Sequence, residues 1–291
     1  MKVAYLGPAG TFSEEALRLA AAGVAFEPLP VATIHAAVEA VESGDAERAL
    51  VPFENSIEGT VRPTLDALAF DTDRVRIVGE FDHQVHQTLI AARPLELGAI
   101  ERVLSHPQGA AQCAGFLRTE LAAATVETVS STSEAVRLIA AAGDEPWAAL
   151  GSAAAAAAYG GVVLREDVED AGDNVTRFVW LADVDAEPPA VDEARPWRTT
   201  LVFDELGADH PGALVDALSV LSDRGINMTR IESRPRRSGL GTYLFFLDLD
   251  GRAGDAAVAA GIEALGERAE TVRVLGSYQV GGAPPLPGQV G

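Results

Sequence analysis

The stretch Asn174-Val175-Thr176-Arg177-Phe178 places an amide, a hydroxyl and a guanidinium close together, directly before the apolar segment 179–181. This pattern is typical of a loop that becomes a strand. By itself, Thr176 is most simply a β-branched residue that suits a pleated sheet. The stretch gains weight because three other polar turns also follow a strand pattern and precede a helix pattern, at residues 7–13, 52–56 and 105–108.

Strand and helix patterns alternate over residues 1–182, which predicts α/β layers with parallel strand pairing. We expect a first lobe of about residues 1–78 and 173–182, and an inserted second lobe of about residues 79–172. Ligands of open α/β sheets bind beyond the carboxyl ends of the strands, where all four polar turns lie. The residues expected to line one cleft are Thr11, Asn55, Ser105, Gln108 and Thr176.

The C-terminal third has a different pattern. Residues 183–197 are acidic and contain three prolines, the composition of a linker. Residues 198–280 follow the order strand, helix, strand, strand, helix, strand, which predicts a ferredoxin-like βαββαβ domain with a hairpin at Arg237-Ser238-Gly239. Residues 281–291 are rich in glycine and proline, and we expect them to be disordered.

Charge and composition exclude several classes of function. The formal net charge is −21, from 43 acidic and 22 basic residues, so nucleic acids and anionic membranes are poor partners. A small anionic substrate then needs local hydrogen-bond donors that overcome the repulsion from the chain's negative net charge. The single cysteine, Cys113, allows no internal disulfide, and we expect it to pack as a small apolar residue. Without a signal-peptide layout or a membrane-spanning run, we expect a soluble, cytoplasmic protein.

The polar turns also offer candidate binding groups. Thr11 and Glu14 form a capping box, and a helix that starts there directs free N–H groups at an anion, although a plainly capped helix explains the same residues. Glu54, Asn55 and Ser56 form a polar mouth at a strand end. The spacing of His83 and His86 matches no metal-binding pattern, so we interpret them as strand or surface residues. No motif for a metal or cofactor is found in the sequence.

These motifs, in this order, resemble those of the prephenate dehydratase family. The matching segments of the first part are 7–13, 54–61, 105–108 and 174–178. Segments 212–215 and 232–235 resemble the phenylalanine-sensing ACT domain that follows in that family. The likeness covers residues 2 to about 280. Gly109-Ala110 departs from the Ala-Leu that the family usually carries after the glutamine, a change that concerns packing more than chemistry.

The resemblance implies both a fold and a reaction. It implies two α/β lobes similar to the type 2 periplasmic binding protein fold, with the active site between them, and homodimers or homotetramers built through the ACT domains. The implied reaction converts prephenate to phenylpyruvate, carbon dioxide and water and needs no metal or cofactor. Without the mutase domain that precedes it in some relatives, the chain is expected to be monofunctional.

The resemblance also implies roles for individual residues. Thr176 is expected to donate a hydrogen bond to the departing hydroxyl, and Glu54 either orients that network or supplies the proton. Arg177 either binds a carboxylate or pairs with Asp173. The remaining residues expected at the active site are Thr11, Phe12, Ser13, Asn55, Ser56, Gly59, Thr60, Ser105, Pro107, Gln108 and Phe178.

For the ACT domain, phenylalanine is expected to bind between the domains of two chains. The helix start after Pro211 receives the carboxylate, and Asn227 accepts from the ammonium group. The expected allosteric residues are Gly212, Ala213, Leu214, Val215, Asn227, Met228, Glu232, Ser233, Arg234 and Pro235. The simpler alternative is that the domain only forms dimers.

Two other functions fit the same sequence. An arogenate dehydratase runs the same chemistry on an amino-bearing side chain, and no residue distinguishes the two substrates. A non-catalytic amino-acid sensor is the third reading, against which Thr176 and the Glu54-Asn55-Ser56 set argue.

Overall fold

The computed structural model describes residues 1–204, 211–237 and 241–281. Within these ranges the chain forms one sheet of ten strands and a second sheet of five. The α/β class is therefore confirmed. The tip of the predicted hairpin at Ser238-Gly239 and the tail from 282 onward lie outside the described residues.

The first lobe contains the N-terminal half of the large sheet. Its elements are β1 (Lys2–Leu6), α1 (Phe12–Ala20), β2 (Glu27–Val31), α2 (Ile34–Glu42), β3 (Arg48–Asn55), β4 (Gly59–Thr60), α3 (Arg62–Asp66) with a π-helical turn (Ala67–Asp71), and β5 (Val75–Gln84). Hydroxyl groups cap the main helices, as Thr11 does by accepting from the Glu14 N–H at 3.3 Å.

The second lobe is built on the smaller sheet. It contains β6 (Thr88–Ala91), a 3-10 turn (Leu97–Ala99), β7 (Arg102–Ser105), α4 (Pro107–Gln112), α5 (Ala114–Glu120), β8 (Thr125–Thr128), α6 (Thr132–Ala142), β9 (Trp147–Gly151), α7 (Ala153–Tyr159) and β10 (Val162–Arg165). Its strand order is β10-β6-β9-β7-β8. The chain then returns to the large sheet as β11 (Val175–Asp183).

The C-terminal domain follows the predicted βαββαβ order. It consists of β12 (Trp197–Asp204), α8 (Ala213–Ser222), β13 (Met228–Pro235), β14 (Tyr243–Asp250), α9 (Ala256–Gly266) and β15 (Thr271–Gln279). Its strands extend the large sheet, whose order is β13-β14-β12-β15-β5-β11-β3-β1-β2, with β4 on β3. At the junction, β15 meets β5 at Gly276 and Ile77. A Cβ on Gly276 would lie 2.2 Å from the Ile77 carbonyl oxygen, so only glycine fits there.

The strand pairing differs from the parallel arrangement that the sequence predicts. β1 runs parallel to β2 and β3, but β11 is antiparallel to both β3 and β5. The pairing of β11 with β5 continues to Gln84, so the chain crosses into the second sheet between Gln84 and Thr88 rather than near residue 79. The reason is that β11 returns from the second lobe and inserts between β3 and β5. Its long pairing with β5 keeps residues up to Gln84 in the first sheet, and no local sequence pattern indicates this.

One face of the large sheet in the first lobe is covered by α1. Its core contains Tyr5, Phe178 and Trp180, each 2 % exposed or less. The opposite face carries α2 and also packs against Phe246 and Tyr278 of the C-terminal domain. Neighbouring residues on β3 and β11 therefore point to opposite faces of the sheet. One face lies under α1 and toward the second lobe, and the other lies against the C-terminal domain.

Candidate active site

The candidate site centres on a row of three side chains across adjacent strands. Asn55 of β3 lies opposite Thr176 of β11, and Thr176 lies opposite His83 of β5. Directly opposed residues of antiparallel strands share a face, with Cβ atoms about 4.5–5.5 Å apart. The structure therefore brings the predicted pair Thr176 and Asn55 together with His83, which the sequence pattern gave no functional role.

Hydrogen bonds make the Thr176 hydroxyl oxygen an acceptor within the site. The Asn55 side-chain oxygen accepts from the backbone N–H groups of Ile57 and Glu58, at 3.0 and 2.9 Å. The Asn55 Nδ2 group must then face Thr176, and it donates to Thr176 Oγ1 at 2.9 Å. Because Oγ1 is an acceptor in this bond, its own hydrogen points elsewhere. Thr176 itself is buried, with 8 % of its surface exposed.

A chain of amide side chains connects this row to the second lobe. Asn55 Nδ2 donates to Asn174 Oδ1 at 2.7 Å, and Asn174 Nδ2 donates to Gln112 Oε1 at 3.2 Å. Gln87 Nε2 donates to the same Gln112 oxygen at 3.2 Å. No sequence motif marks Gln112, at the end of α4, or Gln87, in the connection before β6, because a single amide side chain forms no pattern. The Gln87 oxygen is buried and has no hydrogen-bond partner among the described residues.

The loop before α1 closes on the second lobe. Ser152 Oγ donates to the Gly10 carbonyl at 2.9 Å, and the Tyr159 hydroxyl donates to the Ala9 carbonyl at 2.9 Å. Gly10 has φ +78°, and a Cβ there would lie 2.9 Å from the Ala155 Cα. Glycine is thus needed both for the backbone conformation and for the close approach of the two lobes.

The other predicted cleft residues have varied positions. Thr11 Oγ1 donates to the Leu6 carbonyl at 3.1 Å and also caps α1, and Ser56 Oγ donates to the Asp173 carbonyl at 2.8 Å. Ser105 is buried and donates to the neighbouring His106 carbonyl. These three hydroxyls are used within the chain. Phe178 belongs to the core. Phe12 is half-buried, Ser13 is buried, and Pro107 and Gln108 are exposed at the start of α4.

Glu54 and Arg177 lie on the opposite face from Asn55 and Thr176. Arg177 Nη2 donates to Glu54 Oε2 and to Asp248 Oδ2, both at 2.8 Å. Arg177 thus pairs with carboxylates of its own lobe and of the C-terminal domain, and not with Asp173. Burial alone lowers the pKa of an arginine, but Asp248, followed by Tyr278 and Glu80, raises the pKa of Arg177 above its usual value.

A polar interface continues from this pair along β13. Thr60 Oγ1 donates to Glu232 Oε2 at 3.1 Å and accepts from Arg230 Nη2 at 2.9 Å. Gly59 is exposed in the same hairpin. The structure therefore places Gly59 and Thr60 beside the C-terminal domain and outside the Thr176 row.

Asp66 ties the first lobe to the same strand. It accepts from Arg234 Nη2 at 2.7 Å and from Arg237 Nη2 at 3.1 Å. Burial alone would raise the pKa of Asp66, but the hydrogen bonds and charges of these two arginines lower it below its ordinary value.

The predicted allosteric residues fall into two groups. Val215, Asn227 and Met228 line an open hollow of about 620 Å³ beside α8, and Gly212 caps that helix with φ +96°. Ala213 and Leu214 are half-buried in its first turn. On β13, the side chains alternate: Glu232 and Arg234 contact the first lobe, whereas Ser233 and Pro235 are exposed. β13 is the terminal strand of the large sheet, so its outer edge is open within the described chain.

Two further features lie apart from the Thr176 row. A cavity of about 960 Å³ separates the first part of β5 from the linker and the C-terminal domain, and its lining includes Arg76, Trp197 and Arg252 but none of the predicted site residues. His86 Nδ1 lies 2.8 Å from Glu169 and 3.1 Å from Asp167, close enough for the three to hold a metal ion together. Exposed ion pairs of this kind also occur without a metal.

The fold and the site together define a two-lobed α/β protein with a polar site between its lobes and a C-terminal βαββαβ domain. A family model described as prephenate dehydratase matches residues 3–186, and an ACT domain model matches residues 200–267. The chain belongs to the prephenate dehydratase family, with an ACT domain.

Relatives match the chain over nearly its full length. The prephenate dehydratase of Mycobacterium tuberculosis (strain ATCC 25618 / H37Rv) is 40% identical over 298 residues, covering 98% of this chain and 90% of that protein. The structure of prephenate dehydratase from Arthrobacter aurescens in complex with L-Phe has a TM-score of 0.84 at 36% identity, covering 96% of this chain and 90% of that one.

A relative with a different described activity is also similar. The structure of GqqA, described as a novel type of quorum quenching acylase, has a TM-score of 0.85 at 31% identity, covering 98% of this chain and 99% of that one. The likeness to a solved structure thus extends to more than one activity. Within the described ranges, no helix is long and apolar enough to cross a membrane.

Proposed function

We propose that the protein is a prephenate dehydratase, a carbon–oxygen lyase that converts prephenate to phenylpyruvate, carbon dioxide and water. The observation that carries the proposal is the bond from Asn55 Nδ2 to Thr176 Oγ1, at 2.9 Å. It holds a hydroxyl at the lobe boundary with its hydrogen available to a ligand. Membership of the family, with relatives that align over 98% of the chain, supports the same activity.

The chemistry requires little more than a directed donor. Prephenate loses carbon dioxide from one end of its ring and hydroxide from the other, and aromatisation drives both losses. The Thr176 hydroxyl donates a hydrogen bond to the departing oxygen and stabilises the negative charge that develops there. A low-polarity environment strengthens this interaction, and Thr176 is nearly buried.

The substrate's carboxylates need donors of their own, because the chain is strongly acidic. Ser13 and the first-turn N–H groups of α1 follow the loop that contacts the second lobe, and Gln108 is exposed at the start of α4 in that lobe. We assign these groups to the pyruvyl carboxylate. Thr11 and Ser56 keep the shape of the site through their internal hydrogen bonds.

Glu54 and Arg177 take an interdomain role in this proposal. Both side chains lie on the face that contacts the C-terminal domain, where Arg177 bonds Asp248. Because Arg177 follows Thr176 directly, a shift of the ACT domain moves the strand that carries the catalytic hydroxyl. This contact gives L-phenylalanine, which a relative binds, a physical route to the active site.

Regulation requires that phenylalanine prefer one of two states, since equal affinity for both shifts nothing. The open edge of β13 and the hollow beside α8 support a site between the ACT domains of two chains, and hence a homodimer or homotetramer. Size-exclusion chromatography with light scattering tests the assembly, and a monomer that phenylalanine still inhibits would contradict it.

The function is tested by incubating the purified chain with prephenate, arogenate and an acylated amine in parallel. We expect phenylpyruvate from prephenate, much slower conversion of arogenate, and inhibition by L-phenylalanine. Faster turnover of arogenate would assign the other dehydratase, and amide hydrolysis alone would assign an acylase. Binding of phenylalanine without turnover of any substrate would leave the protein a sensor.

A further inference from the structure

His83 is a buried histidine whose position the function above does not explain. It is 4 % exposed and lies directly opposite Thr176 across β5 and β11. Its ring contacts that of Phe178, two residues along β11, edge-on at 6.4 Å between centroids. Since Thr176 and Phe178 share a face, this contact places the imidazole on the Thr176 side of the sheet.

The partner of His83 is a carboxylate of α1. His83 Nε2 lies 3.3 Å from Glu15 Oε1, without hydrogen-bond geometry. The second Glu15 oxygen, Oε2, is also buried and has no hydrogen-bond partner in the described part of the chain. A buried polar atom without a hydrogen bond destabilises the folded state. Since His83 and Glu15 carry such atoms beside the Thr176 hydroxyl, stability does not explain their presence, and a functional role does.

The proposed reaction needs a proton on this side of the sheet. The hydroxide that leaves prephenate must become water, and a threonine hydroxyl is too weak an acid to be the final source of that proton. Glu54, the carboxylate that the sequence suggests, points to the other face and bonds Arg177. His83 is the ionisable member of the Thr176 row, and Glu15 of α1 contacts it at 3.3 Å.

We propose that His83, in contact with Glu15, supplies through Thr176 the proton that the leaving group takes. As the ring C–O bond breaks with its electron pair moving to oxygen, the Thr176 proton passes to that oxygen and forms water. An N–H proton of the imidazolium moves to Thr176 Oγ1, whose second lone pair Asn55 leaves free. The electron pair of the carboxylate C–C bond completes the aromatic ring as carbon dioxide departs, and solvent later reprotonates His83.

The other ionisable groups near His83 have partners of their own or stay neutral. On α1, Glu14 is bonded to Arg18 and to the Gly10 N–H. On β11, Arg177 points to the opposite face. On β1, burial, with a smaller contribution from Glu14, raises the pKa of Tyr5 to about 12, so that phenol stays neutral. Glu15 is therefore the charged group that acts on His83 directly.

His83→Gln tests the proposal, because glutamine keeps the size and hydrogen-bonding capacity but cannot carry the proton. We expect kcat to fall about 100-fold at neutral pH, the lower range of general acid–base contributions, with KM within about threefold of wild type. If His83 is the acid, the wild-type kcat should fall as the pH rises, and the variant's residual kcat should lose that fall. His35→Gln is the matched control, because His35 of α2 also contacts a carboxylate, that of Asp71, but lies exposed and away from the Thr176 row.

Glu15→Gln provides a second measurement that keeps the imidazole. Loss of the carboxylate that contacts His83 should change the pH profile of kcat without abolishing turnover. A kcat within twofold of wild type and an unchanged pH profile in both variants would overturn the proposal. This inference rests on the proposed function, but the failures are distinguishable: an inactive wild type refutes the function, whereas an active wild type with active variants refutes only His83. If His83→Gln does not fold, the Glu15→Gln profile decides.

Discussion

Replacing Arg177 with methionine should loosen the C-terminal domain from the first lobe. The Arg177 side chain is 11% exposed, and the Asp248 carboxylate that it contacts at 2.8 Å is 0% exposed. Methionine keeps much of the volume but leaves the Asp248 carboxylate with Thr200 as its remaining donor in the described ranges. Breaking a buried pair in this way typically costs about 3–5 kcal/mol, chiefly because it leaves a charge unpaired.

A double-mutant cycle separates the charge effect from lost packing. Asp248→Asn in the Arg177→Met background removes the unpaired charge and keeps the acceptor for Thr200, so it should recover part of the loss. We expect a coupling energy between the two sites within the range of about 0.5–3 kcal/mol that contacting pairs show. Urea unfolding followed by tryptophan fluorescence measures each variant, and the buried Trp180 contributes to that signal from the first lobe.

Arg74→Met is the matched control, because its pairs with Asp183 and Asp185 lie at the surface. The control should leave the urea midpoint unchanged within error. If Arg177→Met unfolds at the same urea concentration as Arg74→Met, the buried interdomain pair does not hold the domains together.

Three other predictions concern regulation, pH and reactivity. Ser233→Ala, at an exposed position of β13, should raise the phenylalanine concentration for half-inhibition up to about tenfold, one hydrogen bond's worth, with uninhibited turnover within twofold. Asp66→Asn should lose less stability on acidification than wild type. Because the pKa of Asp66 is lowered in the folded state, its stabilising contribution is full above pH 3.8 and is lost as the pH falls through the folded-state pKa. Urea midpoints at several pH values check this. Burial raises the pKa of Cys113 to about 12, so iodoacetamide at about pH 8 should label the folded chain at least about 100-fold more slowly than the urea-unfolded chain.

The polar turns predict the Thr176–Asn55 pair well, because Asn55 ends β3 and Thr176 lies at the start of the antiparallel β11, at the same edge of the sheet. The same motif reading groups Glu54 with Asn55, and here the structure separates them. β3 continues through Asn55, and neighbouring residues of a strand point to opposite faces. Once the strand is known to include both residues, only one of them can face Thr176.

Other features depend on contacts that no local pattern records. His83 is buried because α1 packs over β5, and the packing of a helix on a strand some 70 residues away is not visible in the spacing of two histidines. The junction of β15 with β5 likewise depends on Gly276 meeting Ile77, residues that only the finished sheet brings together. The βαββαβ order of the C-terminal domain needed no such contact, because each of its elements has a clear periodicity.

The role of the Thr176 hydroxyl is tested most directly by Thr176→Val, which removes the hydroxyl and keeps the β-branched shape in a strand. The measurement is kcat for phenylpyruvate formation from prephenate, with Thr176→Ser as the variant that restores a hydroxyl. We predict that valine lowers kcat roughly 100- to 10,000-fold while serine stays within about tenfold of wild type. Turnover by the valine variant close to that of wild type would contradict the assignment of Thr176 as the donor to the leaving group.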